Sequence, residues 1–458
     1  MWRDFHLIPD ADTDILFVPA TYRLFRVPKS EGRTLSAFLA GDLEALPAGP
    51  VSQAIAAEAT KAAAADTDKA PRPWGETDSL CLYVAHDCNL DCTYCYNHRG
   101  RDTHPGLMMD PKVAEAAFRR FFVAPGRDYA VAFYGGEPLL NFRAIKAIVA
   151  LGRRLEAERH IRIAFSITTN GTLLNREIED FLHKEFLSIT VSVDGPQDIH
   201  DLHRQGRKGG SYARIMANMA RLKARGGPRL TLKGTLAREG VERYRESLEH
   251  LERLGTDGAV LTPVDLSCES EARLSDADFE RFVAQHEALN GAAIDSGLDG
   301  GGYLPEEAIN VVANLLTKRK LRRHCNAGRD LALAADGSLY ACHGLVGRPE
   351  FHMGKVDGDD QDDFRRVRAI FAGLDVDKLP ECATCWARYF CGGSCYANAY
   401  TATGTVTRPD LRHCLLVKRC AETVIRRFLV SAAQEATRKP LYASMRRFIG
   451  TDRDVAHA

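Results

Sequence analysis

Three thiols stand within one short stretch, Cys88-Asn89-Leu90-Asp91-Cys92-Thr93-Tyr94-Cys95. Their spacings of four and three residues let all three close on one metal centre. Iron–sulfur clusters are normally held by four Cys thiolates. A compact group of three on a four-iron cluster therefore leaves one iron open to a ligand that is not protein. A structural zinc site, or three unlinked core thiols, would use the same residues.

The remaining cysteines narrow the choice. Of thirteen in the chain, eight fall between positions 325 and 420. Seven of these follow the order Cys325-x11-Gly337-x4-Cys342, then Cys382-x2-Cys385-x5-Cys391-x3-Cys395, then Cys414. Asp336-Gly337 reads as the turn of a hairpin between two ligands. Two structural zincs fit the Cys-x-x-Cys spacing equally well. Cys81, inside a strand pattern, and Cys420, on a late helical pattern, read as core thiols, and Cys268 stands apart.

The elements that must position these thiols alternate between two periods. Strand patterns run over Leu80–Ala85, Tyr129–Tyr134, Ile163–Thr168, Ser188–Val193, Leu230–Leu236 and Ala259–Val264. Helical patterns separate them at Pro111–Phe122, Phe142–Glu156, Asn175–Lys184, Tyr212–Ala224 and Val241–Leu254. Such repetition predicts an α/β fold with a parallel sheet inside helices, closed as a partial (β/α)6 barrel. Sites in parallel barrels lie at the carboxyl ends of the strands, and the first strand delivers Cys88 to that rim.

The division expected is a small α+β module over 1–75, the barrel over 76–268, a bridging segment over 269–324, a Cys-rich domain over 325–420 and a helical tail over 421–458. The module is either a recognition unit for a substrate's leader segment or a cap over the barrel. The basic run Lys318–Arg323 reads as a solvated helix face. His200 and His203 read as exposed residues rather than a metal pair.

Composition removes other classes. Lys plus Arg and Asp plus Glu number 61 each, so no net basic field draws nucleic acid. No apolar run reaches membrane-span length and the first residues lack a signal-peptide profile. A cytoplasmic protein is expected, with reduced cysteines that serve as metal ligands rather than disulfides.

The triad resembles the CxxxCxΦC signature of the radical S-adenosylmethionine (radical SAM) enzymes, with Tyr94 as the aromatic. One βα unit later, Gly135-Gly136-Glu137-Pro138 is similar to that family's GGEP motif, whose backbone and carboxylate receive the SAM ammonium group. Thr169-Asn170-Gly171 resembles its TNG turn beside the nucleoside. Ser192-Val193-Asp194-Gly195-Pro196, with His200-Asp201 and Arg204, resembles a block of its SPASM branch. There Ser192 and Arg204 would contact the SAM ribose and carboxylate, and Arg suits a carboxylate through paired hydrogen bonds. The seven later cysteines match the SPASM domain in every spacing.

That resemblance implies a [4Fe–4S] cluster on Cys88, Cys92 and Cys95 with SAM on its open iron, and two auxiliary iron–sulfur clusters. Cys382, Cys385, Cys391 and Cys414 would hold one of these. Cys325, Cys342 and Cys395 would hold the other, completed by Cys268, His324 or His343, or left open to substrate. It further implies a ribosomally made peptide or small protein as substrate and an external one-electron donor of the flavodoxin or ferredoxin type.

The expected reaction is a thioether crosslink from a substrate Cys to an unactivated carbon, as in maturases of the quinohemoprotein amine dehydrogenase type. The alternative is formylglycine formation, as in the more distant anaerobic sulfatase maturases. Those carry an Asp as base where this chain has His343, which can also act as a base near neutral pH. A non-enzymatic metal scaffold for a partner protein is the reading from another class.

Overall fold

The computed structural model describes residues 5–40, 53, 55, 57–58, 76–95, 106–206, 209–264, 270–296, 306–358 and 361–433. The expectations for Cys268 and for the chain beyond 433 lie outside these residues.

The first three strands are β1 (His6–Ile8), β2 (Thr13–Val18) and β3 (Arg23–Pro28), an antiparallel sheet of its own followed by a helix at Lys29–Leu39. The central sheet takes β4 (Ser79–Ala85), β5 (Asp128–Gly135), β6 (Arg162–Thr169) and β7 (Ser188–Ser192). After a small ribbon of β8 (Gln205–Gly206) and β9 (Gly209–Gly210), it continues with β10 (Arg229–Leu236) and β11 (Gly258–Pro263). The six strands β4, β5, β6, β7, β10 and β11 pair in parallel, each neighbour along the chain being a neighbour in the sheet.

Alternation decides which way each side chain points. In β6 the burial runs exposed, buried, half-buried and so on, with Ile163, Phe165 and Ile167 buried beneath the outer helices. On the opposite face, period two brings Ala132, Tyr134, Ser166, Thr168, Thr190 and Ser192 to the barrel lumen, where they stay half-buried. The helices start on side-chain caps. Asp110 accepts from the Lys112 N–H ahead of Pro111–Phe121, and Asn175 from the Ile178 N–H ahead of Arg176–Glu185. Ser275 and Asp278 form a reciprocal capping box that opens Asp276–Asp295.

The Cys-rich part is not separate from this sheet. β12 (Leu331–Leu333) pairs in parallel with β4, and β13 (Ser338–Tyr340) and β14 (His352–Lys355) continue the sheet antiparallel, making nine strands. The turn at Asp336–Gly337 joins β12 to β13, with Ser338 donating to Asp336. The boundary expected at 325 therefore divides the sequence but not the sheet.

The N-terminal sheet packs on the Cys-rich region. His6 stacks on Trp386 at 4.0 Å, Phe17 lies on Phe390 at 5.3 Å, and the Tyr22 hydroxyl donates to the Tyr389 carbonyl at 3.1 Å. The basic run, read as a solvated helix face, instead follows the helix Glu306–Thr317 as a staple. Lys318 Nζ donates to the Tyr22 carbonyl (2.9 Å), Arg322 pairs with Asp377 (2.6 Å), and Arg323 donates to the Leu374 and Ala372 carbonyls. Two carbonyls take Arg323, a third takes Lys318 and a carboxylate takes Arg322, a demand that a linear charge count does not reveal. Among the described residues no helix is long and apolar enough to cross a membrane.

Candidate metal and cofactor site

The triad follows β4, and its loop is held at several points. Asp91 N–H donates to the Gln205 carbonyl (2.7 Å), Thr93 N–H to the His203 carbonyl (3.2 Å), and Leu90 bridges Gly206. His203 is buried, with Nδ1 2.8 Å from Thr93 Oγ1, and His200 is fully buried, with Nε2 2.9 Å from Ser211 Oγ. Neither is exposed and neither forms a metal pair. Burial pushes the His200 imidazole down to about 4, so it stays neutral and serves as a brace.

Beside the triad, β5 ends at Gly135 and Gly136. Gly135 has φ 133°, and a Cβ there would lie 2.1 Å from the Ala85 carbonyl oxygen. A Cβ on Gly136 would lie 2.2 Å from the Asp87 carbonyl oxygen and 3.2 Å from Cys88 Cβ. Only glycine lets this backbone close on the Cys88 loop. Gly136 N–H and Glu137 N–H donate to the Ala85 and Asp87 carbonyls, both at 2.9 Å.

Glu137 differs from the part its motif implies. It is 0% exposed, and its carboxylate accepts from Thr169 Oγ1 (2.7 Å), Asn170 N–H (2.7 Å) and Leu139 N–H (3.0 Å). The carboxylate expected to receive a ligand ammonium is thus turned inward, tying the β5 turn to the Thr169-Asn170 turn. Burial raises it to about 7 against the pull of those three donors.

The sign follows from linkage: the folded chain holds this proton longer than the unfolded one. Stability contributed here is present at low pH and declines as pH rises from about 4.5 to about 7. Glu137→Gln turns an amide toward backbone donors. It is expected to cost about 1–3 kcal/mol and to flatten that pH slope, read from urea unfolding at several pH values.

Tyr94, Asp194 and Arg204 also sit inward, at 6%, 1% and 9% exposure. Asp194 accepts from Arg204 Nε at 3.0 Å, from Thr235 N–H at 2.9 Å and from the Tyr94 hydroxyl. Its carboxylate is therefore spent on the protein. Ser192 faces the lumen, half-buried. Pro138 opens the short helix Pro138–Asn141. Asn170 Nδ2 reaches Asn89 Oδ1 (2.9 Å) and lies 3.8 Å from Cys88 Sγ.

The donor set fits an iron–sulfur cluster. The three thiols are half-buried and near enough to act on one another electrostatically, with Leu90 N–H 3.4 Å from Cys88 Sγ. Such N–H···S contacts support a metal-bound thiolate. Burial first, then the nearby Glu137, pushes the Cys88 thiol up to about 12, and burial pushes Cys92 up to about 11. Without a bound cation these thiols would stay protonated, and coordination is what deprotonates such groups. Among the described residues no group of three or more His, Cys, Asp or Glu is placed to hold a single ion.

The later thiols gather in two sets. Burial first, then neighbouring thiols, raises Cys382, Cys391 and Cys414, with Cys385 acting on all three, and Gly393 N–H points at Cys391 Sγ at 3.4 Å. Cys325, Cys342 and Cys395 form the other set. His324 lies between the sets, its Nδ1 3.1 Å from the Cys391 carbonyl oxygen.

His343 is exposed, its ring 5.3 Å from Tyr134 and its carbonyl 2.9 Å from the Tyr83 hydroxyl. The residue after Cys342 thus lies against the strand that ends in Gly135 and Gly136. Asp330 and Tyr396, which act electrostatically with Cys325, carry no sequence signal of their own. Lys233 could have been found: it is a lysine in mid-strand, in register with Ser192.

Residues 82–251 match the Radical SAM superfamily. Among curated proteins, a cysteine-type anaerobic sulfatase-maturating enzyme of Clostridium novyi is 31% identical over 141 residues, covering 30% of this chain but only 37% of that enzyme. The radical SAM cyclopropyl synthase TigE of Paramaledivibacter caminithermalis is 21% identical over 76% of this chain and 73% of its own. Among solved structures, anSMEcpe with bound AdoMet has TM-score 0.65 at 19% identity, covering 78% of this chain and 99% of that one. Streptococcus suis SuiB bound to the precursor peptide SuiA has TM-score 0.51 at 13% identity, covering 90% and 98%. At these identities the two structures show a shared fold.

Proposed function

Taking residues 82–251 as a radical SAM domain, we propose that this chain modifies a peptide or small protein by radical chemistry, joining a substrate Cys sulfur to an unactivated carbon. The observation that carries this reading is the shared wall of the lumen. The Gly136 turn closes on Cys88 at one end of β5, and His343, next to Cys342, lies on Tyr134 of the same strand.

Bound at the triad, a four-iron cluster with SAM would supply the radical chemistry that removes a hydrogen atom from carbon. This chain's residues do the positioning. Cys88, Cys92 and Cys95 hold the metal, the Gly135-Gly136 backbone and Ser192 line the cofactor's seat, and Arg204 faces its carboxylate. His343 would take the substrate thiol proton, and the two later thiol sets would hold auxiliary clusters able to accept the one electron released when the thiolate joins the carbon radical. An external one-electron donor starts the cycle. The relatives named for sulfatase maturation support the alternative, oxidation of a Cys or Ser to formylglycine.

Anaerobic incubation of the reconstituted protein with Cys-containing peptides, followed by mass spectrometry, separates the two. Loss of two hydrogens per crosslink is expected, with the modified Cys resistant to alkylation; an aldehyde in place of Cys or Ser would sink the thioether reading.

The lumen adds a further prediction. Lys233 is exposed on the lumen face, near enough to Glu306 to act on its carboxyl. A cation there invites a polar substrate group. Lys233→Met is expected to raise the peptide KM about tenfold, more than the KM for SAM, as read from initial rates.

A further inference from the structure

Asp194, Tyr94 and Arg204 form a buried unit that joins three parts of the chain. Asp194 follows β7, Arg204 ends the helix Gln197–His203, and Tyr94 lies between the ligands Cys92 and Cys95. The Asp194 carboxylate accepts from Arg204 Nε with both oxygens at 3.0 Å, from the Tyr94 hydroxyl, and from Thr235 N–H of β10 at 2.9 Å. The guanidinium lies over the Tyr94 ring, 5.5 Å from its centroid.

Burying an ion pair costs desolvation that its attraction seldom repays, so such a pair is weak as a stabiliser and strong as a device that fixes geometry. Here the geometry fixed is that of Arg204. Nε is committed to Asp194 from behind and the ring sets the plane, while the two Nη groups make no hydrogen bond among the described residues. The charge also acts on the Cys92 thiol.

We propose that Asp194 and the Tyr94 hydroxyl are positioning residues that act on the cofactor only through Arg204. They hold its Nη donors toward the carboxylate of SAM and lock the Cys92–Cys95 loop to the ends of β7 and β10. The inference rests on the reading that SAM binds over the triad. Asp194 therefore touches neither metal nor cofactor, although its motif sits among residues that do. With the carboxylate neutralised, Arg204 loses its fixed partner and turns toward water; with the hydroxyl removed, the carboxylate loses one of its anchors and holds Nε less firmly.

The test uses anaerobically reconstituted full-length protein, comparing Asp194→Asn and Tyr94→Phe with wild type. It measures the SAM dissociation constant by equilibrium dialysis, iron per chain, melting temperature, and the EPR spectrum of the reduced protein with and without SAM. Asp194→Asn is expected to weaken SAM about tenfold or more, as the loss of one charge-assisted hydrogen bond, and Tyr94→Phe by a smaller factor. Iron should be retained, and the SAM-dependent change in the EPR spectrum diminished.

The double variant should be no weaker than Asp194→Asn alone, because both act through one guanidinium. Wild-type affinity and an unchanged spectrum in both single variants would overturn the inference. If Asp194→Asn fails to fold or loses its iron, Tyr94→Phe decides: wild-type affinity there overturns it equally. Absence of SAM binding by the wild type would bring down the functional reading and this inference together.

Discussion

Cys88→Ala is expected to leave a folded chain with about four fewer irons than wild type after anaerobic reconstitution, one four-iron cluster, and to form no 5′-deoxyadenosine. The size of the effect follows from the ligand count. Three thiols already leave one corner unprotected by protein, and removing one leaves two, which hold a cluster poorly in reductant. Folding should survive because Cys88 is half-buried at the end of β4 and the loop keeps its bonds to Gln205 and His203. Iron analysis, visible absorbance and chromatographic detection of the nucleoside check it. Cys420→Ala is the control: it removes a fully buried core thiol that accepts from Asn290 Nδ2 at 3.8 Å, so no iron should be lost.

Gly136→Ala is expected to weaken SAM binding by about a hundredfold. Its methyl would sit 2.2 Å from the Asp87 carbonyl oxygen, a contact relieved only by moving the backbone between β4 and Cys88. The displaced unit carries a cluster ligand, and Glu137 draws the Thr169-Asn170 turn along with it. One methyl thus shifts two walls of the proposed seat. Equilibrium dialysis with SAM reads the effect. Wild-type affinity would show that this turn does not form the seat.

Much of the scaffold was legible because period-two burial is written directly into composition. Each barrel strand lies within two residues of its expected bounds, and the helices Pro111–Phe121 and Arg176–Glu185 fall within one residue of theirs. The joining of β12 to β4 was not legible, since three-residue strands carry too little pattern to announce a partner far away in sequence.

At the site, motif positions told which residues gather near the metal loop but not which way they face. Glu137 and Asp194 both turn inward, because a carboxylate beside several unpaired N–H groups gains more from them than from an open pocket. His200 and His203 are buried for a related reason: the loop around Cys92 needs rigid neutral partners. Lys233 stood in plain view as a charge in the middle of a parallel strand, a position that an apolar pattern search passes over.

The most direct test of the central claim is anaerobic incubation of the reconstituted wild-type chain with dithionite and SAM. The account predicts methionine and 5′-deoxyadenosine in equal amounts, and none from Cys88→Ala. If wild type forms no 5′-deoxyadenosine while Cys88→Ala leaves iron content and every other property unchanged, the chain is a metal scaffold rather than an enzyme.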